Sequence, residues 1–566
     1  MTSTPFTADE SGDSPSTPVP QRSAFDRLWQ RDLNAYPDSG RRYGYLAIVV
    51  LTTIVLYYSL YIQYAVATSI ITHFNMTYTY FIWVSVIGNV VGAFAALIAG
   101  LGDRWGRANM VVYGLLATGL LVTFGLPNAS GKAMYLVMFA LVGFVEGIVL
   151  VATPALIRDF SPQLGRATAM GYWTMGPVLG SLVVTTVTSD TLHGLTAWQD
   201  EVRYAGISAL VVFLIALFTL RELAPRIRDQ IMVSLRDRAL VEARAKGIDP
   251  KALVKGSWRQ MMRLDVIGSA LAISLFLLLY FAAVGNLVVY FSTNFGYSEQ
   301  RVNALANWYW AANAIALVVA GLLSDRLKVR KPFMLIGGIG TLVATVLFTL
   351  RATQPSTGYY TFAWIFVGIG ALTGVTFAPW MASFTETVEK HNPAATATGL
   401  AVWGWIFRIT VAVSAAFLPV VVTSVTPLVD HGQQVQVAQA QAAPALAIID
   451  AHPALFAQLQ KYPPAAIPPA LQLQAAQEVG LPGLQTVQKA GPRLAILAKY
   501  GTQVQTAAKD NPKNWQTWWW VCVAGEALFL PFILIMTGRW SPRKAREDAQ
   551  EHQRLVDTEL AALSTR

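Results

Sequence analysis

Three charged side chains stand inside long apolar stretches of the sequence. Glu146 lies in Gly143-Phe144-Val145-Glu146-Gly147, Arg408 closes Trp403-Gly404-Trp405-Ile406-Phe407-Arg408, and Glu526 follows Gly525. An ionisable group in hydrocarbon is costly and by default marks a functional site. A lone carboxyl such as Glu146 is a proton-binding group. It can take a proton on one side of a membrane and release it on the other; the plain alternative is a permanently protonated Glu bonded to a neighbouring helix. Arg408 stays charged at any accessible pH, and its planar fork suits carboxylate or phosphate. It either pairs with Glu526, which the order of the chain puts in the next apolar stretch at similar depth, or meets an anionic substrate. A second set is uncharged. Tyr57, Tyr61 and Tyr64 are spaced four then three apart and fall on one helical face, with Tyr58 and Gln63 beside it; Asn286 and Tyr290 are again four apart.

The elements that position these groups follow from composition. Of 566 residues, 54% are apolar and 13% charged, against about 25% charged in soluble domains, and the mean hydropathy is +0.44. This excludes a multidomain soluble enzyme and indicates an all-α integral membrane protein. Runs long enough to cross a bilayer lie at roughly 43–67, 80–102, 109–127, 133–157, 167–188, 204–220, 266–291, 302–324, 333–350, 358–385, 395–424 and 515–538. These twelve spans lack the period-two alternation of barrel strands.

Lys and Arg set the expected orientation. With both termini cytoplasmic, 31 of the 42 basic residues fall in inner segments, as the positive-inside rule requires. The net charge of +10 therefore reports topology rather than a nucleic-acid surface. The chain divides into a cytoplasmic tail at 1–42, expected to be disordered and without a cleavable signal, six spans over 43–221, a charged central loop at 222–265, spans seven to eleven over 266–424, an outer insertion at 425–514, span twelve at 515–538 and a cytoplasmic tail at 539–566. The insertion is rich in Ala, Gln and Pro and reads as a few short helices. Trp515, Trp518, Trp519 and Trp520 read as an interface belt where the chain re-enters the bilayer.

No Gly-x-x-x-x-Gly-Lys phosphate loop, nucleophile elbow or zinc helix is present, and the six His lie outside the spans. An enzyme and a resident cofactor or metal are not expected. The single cysteine, Cys522, reads as a small packed residue.

The two halves repeat. Asp103-Arg104 matches Asp325-Arg326, Val142-Gly143 with Pro154 matches Val367-Gly368 with Pro379, and Ala167-Thr168-Ala169 with Gly171 matches Ala395-Thr396-Ala397 with Gly399. A duplicated six-span unit is a plan of secondary transporters. Gly102-Asp103-Arg104-Trp105-Gly106-Arg107 follows span two, and Gly321-Leu322-Leu323-Ser324-Asp325-Arg326-Leu327-Lys328, with Arg330 and Lys331 behind it, follows span eight. These resemble the signature inner loops of the major facilitator superfamily, with Ala99 where the family has Gly and no later Gly in the second copy. The resemblance covers about 43–424 and 515–538.

It implies two pseudo-symmetric six-helix bundles around a central cavity, rocking between inward-open and outward-open states. It implies gating by Asp103, Arg104, Gly106, Arg107, Asp325, Arg326 and Lys328, the loop Asp reaching a helix in the opposite half and the basic residues pairing with acids such as Asp159 and Glu386. Helices one, four and seven line the family's cavity, which makes Tyr57, Tyr61, Tyr64, Asn286 and Tyr290 substrate contacts and Glu146 the proton site; Arg408 of span eleven joins the substrate contacts by its charge. Helix twelve lies outside the bundle, which favours a structural Glu526. Gly176-Pro177-Val178-Leu179-Gly180-Ser181 is similar to the end of a signature of proton-coupled exporters, with Ser181 replacing its last Gly. The expected function is proton-coupled transport of a small organic solute, an organic anion before others, by a monomer in the cytoplasmic membrane. Its partners are solute, protons and lipid. Export of drugs or metabolites is the alternative within transport, and a receptor or scaffold using the insertion is the alternative of another class.

Overall fold

The computed structural model describes residues 29–98, 106–160, 174–192, 197–224, 227, 261–391, 396–463 and 466–564. Ten helices there are long and apolar enough to cross a membrane. They are span one (Ser39–Ala65), two (Tyr78–Ile98), three (from Arg107), four (Lys132–Phe160), six (Trp198–Thr219), eight (Glu299–Leu327), nine (Lys331–Arg351), ten (Tyr359–His391), eleven (Thr396–Val421) and twelve (Thr502–Phe529). Span five is described over Gly176–Thr191; its expected start, with Ala167-Thr168-Ala169 and Gly171, lies outside the described residues. Span seven is broken into Ser269–Phe276, Leu278–Gly285 and Leu287–Phe295, with a 42° bend at Leu277 and a second break at Asn286.

Glycine sets the packing within each half. Gly88 and Gly92 of span two face Gly143 and Gly147 of span four. A Cβ on Gly143 would come 2.5 Å from the Gly88 carbonyl oxygen, one on Gly92 would come 2.8 Å from that of Gly143, and one on Gly147 would strike the Gly92 carbonyl. Small residues spaced four apart let two backbones touch, which drives helix association where lipid removes the hydrophobic force. The second half repeats the device between spans eight and ten, where Gly370 and Gly374 lie against the carbonyls of Tyr309 and Asn313. By packing, the counterpart of Gly143 is thus Gly370. The sequence comparison had paired it with Gly368, which faces Ala344 of span nine instead.

Three expectations about the ends need correction. The tail at 1–42 is not free throughout, since span one already begins at Ser39 and Asp32–Leu33 pairs in parallel with Glu222–Leu223. Arg31 is fully buried and donates to Asn109 Oδ1 (2.9 Å) and to the Leu217 and Leu220 carbonyls (2.7 and 3.3 Å). It thus satisfies the open carbonyls at the end of span six. The insertion is not a set of short helices, because it opens with the 27-residue helix Val425–Ala451. That helix buries Val435, Ala438, Ala442 and Ala445 along one stripe. Shorter helices follow, and span twelve starts at Thr502, inside the expected insertion, with no break at 515. The Trp residues are therefore not an interface belt. Trp515, Trp518 and Trp519 are buried and only Trp520 is exposed; Trp515 and Trp519 pack edge-on against Tyr290 at 5.2 and 5.1 Å. The helix is already inside the protein when it reaches them.

Both ends of the described chain lie at one face, with the charged loops. Ser383 and Thr387 of span ten bond the backbone of Thr537 there, while Arg31 binds the end of span six. The insertion covers the opposite face. Hydrogen bonds between the halves occur at the insertion face: Thr68 and Ser69 donate to Glu299, Tyr78 donates to Asp430 and Asn286, and Gln300 donates to the Ser189 carbonyl. Among the described residues none joins the halves at the charged-loop face. The protein is sealed at the insertion side.

The close approach of spans two and four gives a direct test. Gly147→Val should lower unfolding stability by about 1–3 kcal/mol, read by thermal unfolding in detergent. Gly404→Ala, where an added methyl meets nothing within 4 Å, should change it by less than about 0.5 kcal/mol.

Candidate functional site

Span one presents its tyrosines as a ladder. The Tyr57 and Tyr61 rings are 5.3 Å apart and those of Tyr61 and Tyr64 6.4 Å. Tyr58 turns away into the first half, and Gln63 accepts from Tyr135 of span four (3.3 Å). Tyr61 and Tyr64 line a cleft between the halves beneath the sealed face, with Ser181, Thr185, Asn303 and Trp310 opposite and beside them.

Glu146 stands against this ladder. It is 2% exposed, and its Oε1 has no hydrogen-bond partner among the described residues. The carboxyl lies within electrostatic range of the Tyr57, Tyr61 and Tyr64 hydroxyls. Its helix is held by the backbone contacts of Gly143 and Gly147 on either side of it. An unpartnered buried carboxyl is expensive when charged and keeps one oxygen open.

Arg408 does not pair with Glu526. The Arg408 side chain is exposed and acts electrostatically on Tyr57 from the second half. Among the described residues no hydrogen bond or ion pair holds its guanidinium. Glu526 is fully buried and accepts from Thr345 Oγ1 of span nine at 2.8 Å. The two charges of neighbouring spans thus face different ways: Glu526 into the second half, Arg408 toward the first.

The remaining expected contacts divide. Asn286 sits at the break in span seven and accepts from the Tyr78 hydroxyl at 2.8 Å, so it belongs to the seal. Tyr290 faces the interior of the second half. It is fully buried among Phe291, Phe348, Trp515 and Trp519, with its hydroxyl on the Ala352 carbonyl (3.3 Å). It is a packing residue: Leu287 and Val288 of the same segment line the cleft, while the Tyr290 ring packs on the Trp515 and Trp519 rings.

Of the loop residues, Asp103 and Arg104 lie outside the described residues. Gly106 has φ +85°, and a Cβ there would strike the Glu222 carboxylate; only glycine fits the turn. Glu222 accepts from the Arg107 amide (2.8 Å), capping span three. Arg107 meets both oxygens of Asp159 at 3.1 and 2.8 Å. In the second half Arg330 takes the matching place, 2.6 Å from Asp325 and 3.1 Å from Glu386. Asp325 therefore pairs within its own half rather than across to the other. Arg326 is exposed, and Lys328 serves as the left-handed cap of span eight (φ 54°). Arg330 is the basic residue that joins this loop to span ten. Glu299 and Asp430, which bridge the halves, carried no signal in the sequence: Glu299 stands in the first turn of span eight, an ordinary place for an acid, and Asp430 in the second turn of the insertion's first helix.

The sequence profile of the Major Facilitator Superfamily matches residues 49–402. Solved structures of similar fold include a bacterial homolog of the human lysosomal transporter Spinster in an inward-facing, unoccupied conformation. It is 15% identical with a TM-score of 0.54, over 89% of this chain and 100% of that one. In its occupied inward-facing conformation that homolog gives 15% and 0.53, over 88% and 97%. The proton:xylose symporter XylE bound to 6-bromo-6-deoxy-D-glucose is 16% identical with a TM-score of 0.52, over 68% and 89%. At this identity the likeness concerns the fold alone. No protein of curated function matches the sequence.

The partner of Glu526 is open to a double-mutant cycle. Thr345→Val should destabilise the protein by about 1–3 kcal/mol, since it leaves a buried acceptor unmet. Glu526→Gln and Thr345→Val should be non-additive, whereas Glu526→Gln and Arg408→Ala should add within about 0.5 kcal/mol. The cycles are read by unfolding in detergent.

Proposed function

Because the chain belongs to the Major Facilitator Superfamily, we propose that it is a secondary transporter which moves a small organic solute, an organic anion in preference, together with protons by alternating access. The observation that carries this reading is a single constellation. Glu146, buried with an open oxygen, and Arg408, cationic and without an anion to hold among the described residues, both act on Tyr57 from opposite halves. A solute carboxylate or phosphate between the halves meets the Arg408 fork. The hydroxyls of Tyr57, Tyr61 and Tyr64 supply orientation and stacking surface. Proton occupancy of Glu146 sets whether the ladder faces a neutral or a charged group, and so couples proton binding to solute binding. Arg107 with Asp159, and Arg330 with Asp325 and Glu386, brace the charged-loop face of each half so that it rocks as a rigid unit. With both termini cytoplasmic, the open side is the cytoplasmic one and the membrane is the cytoplasmic membrane. One chain suffices, since each contact named lies within it.

A second reading is export of a drug or metabolite. The span-five segment resembling an exporter signature seats its Gly180 on the tyrosine ladder, where an added Cβ would meet Tyr57 Cβ at 2.6 Å. The sign of solute flux under an imposed proton gradient separates the two.

Glu146→Gln should abolish proton-driven uptake in proteoliposomes and leave solute counterflow intact; unchanged driven uptake removes the proton role. Small carboxylates should stabilise the purified protein in a thermal-shift series. Arg408→Ala should weaken that binding about ten- to hundredfold, the loss of a charge-assisted contact, and leave the binding of uncharged solutes unaltered.

A further inference from the structure

We infer that the insertion is part of a gate: its Asp430, with Glu299 of span eight, forms a carboxylate latch across the two halves that holds the insertion face closed. The inference rests on the proposed rocking of the halves, and extends it to a segment for which the transport reading has no use.

Span two begins at Tyr78, and its first amides have no partner within the helix. Thr77 Oγ1 accepts from the Tyr80 amide (3.1 Å), a local cap. The Tyr78 amide is met from the other half, by Asp430 Oδ1 at 2.7 Å. A carboxylate suits this place, because the helix N-terminus carries positive potential and a charged acceptor makes the stronger bond. Glu299 makes a second crossing. Its Oε1 accepts from the Thr68 hydroxyl (2.5 Å) and the Ser69 amide (2.9 Å), and its Oε2 from the Ser69 hydroxyl (2.5 Å).

Asp430 can act on the second half only if the insertion moves with that half, and it is fastened there. Asn511 of span twelve is 1% exposed. It accepts from Ser424 at the foot of the insertion (2.8 Å) and donates to Thr293 of span seven (3.1 Å). The seven residues from Ser424 to Asp430 thus ride on two spans of the second half, and the carboxylate is delivered to the first. The contrast between the faces supports the same view. At the charged-loop face Arg107 and Arg330 bind acids of their own halves. At the insertion face Asp430 and Glu299 bind the opposite half, whereas Glu201 bonds Thr191 of its own. Both latch carboxylates lie in the first two turns of their helices, where water can replace the lost donors when the face opens, so the latch is reversible.

The test places spin labels on Thr72→Cys in the first half and Gln354→Cys in the second, both exposed, in a Cys522→Ala background. Pulsed electron-spin distance measurements are made on the full chain in detergent. The parent should show one short population. Asp430→Ala should add a longer one, raising the open-to-closed ratio about fivefold, and Glu299→Ala should do the same. Asp430→Asn keeps an acceptor for the Tyr78 amide and the shape of the side chain, so it should fall between; it also serves if the alanine variant does not fold. Unchanged distances in folded, monodisperse Asp430→Ala, or in Asp430→Asn if only that folds, overturn the latch. Flux on the same variants is read separately. A distance shift without flux keeps the latch and sinks the transport reading, and flux without a shift does the reverse.

Discussion

Backbone contact between spans two and four is the constraint from which the site follows. Gly143 and Gly147 have no side chains to hold span two away, so the helices close until carbonyl meets Cα. That fixes the depth of span four and its rotation. Glu146 lies between the two glycines in sequence and cannot point where they point. It is turned to span one, whose own rotation is set by Gly176 and Gly180 of span five against Thr53 and Tyr57. A carboxyl and a row of phenols are thus brought together by residues that have no side chains. The second half repeats the contact with Gly370 and Gly374 but carries no acid between them, so the duplicated scaffold holds an asymmetric site.

A medium without water demands partners for polar groups, and most charges here have found them. Arg31 takes the carbonyls that end span six, Glu222 the amide that begins span three, and Arg107 and Arg330 acids at the ends of spans four and ten. Glu526 has Thr345. Against that background Glu146 and Arg408 stand out. Both act on Tyr57, and among the described residues neither Glu146 Oε1 nor the Arg408 guanidinium has a hydrogen-bond partner. Among the described residues the ion pairs of Arg107 and Arg330 lie within their own halves, and the bonds between halves lie at the insertion face.

Much of this was legible in the residues. The shortage of charge required a membrane protein, and the spacing of Tyr57, Tyr61 and Tyr64 put them on one face whatever their surroundings. That basic residues of the inner loops pair with Asp159 and Glu386 was what the family resemblance implied, and Arg107 and Arg330 make those pairs. Two readings failed where a helix was taken as straight, or as starting where its apolar run starts. Trp515 and its neighbours resembled an interface belt, but the helix that carries them is already formed from Thr502. Tyr290 resembled a cavity residue, but the break at Asn286 resets the rotation of the segment that follows. Of the two partners open to Arg408, Glu526 is taken by Thr345.

The sequence by itself determined the solvent, the count of apolar spans, the duplication and the types of group held at depth. These depend on composition and on the fixed 100° turn per residue of a helix, which need no partner to be read. Tertiary structure alone decided which buried charge meets which neighbour, that the insertion reaches the opposite half, and that the seal lies at its face. Those depend on distances between helices far apart in the chain, set by where glycine lets two backbones touch, and no spacing along the sequence encodes them directly.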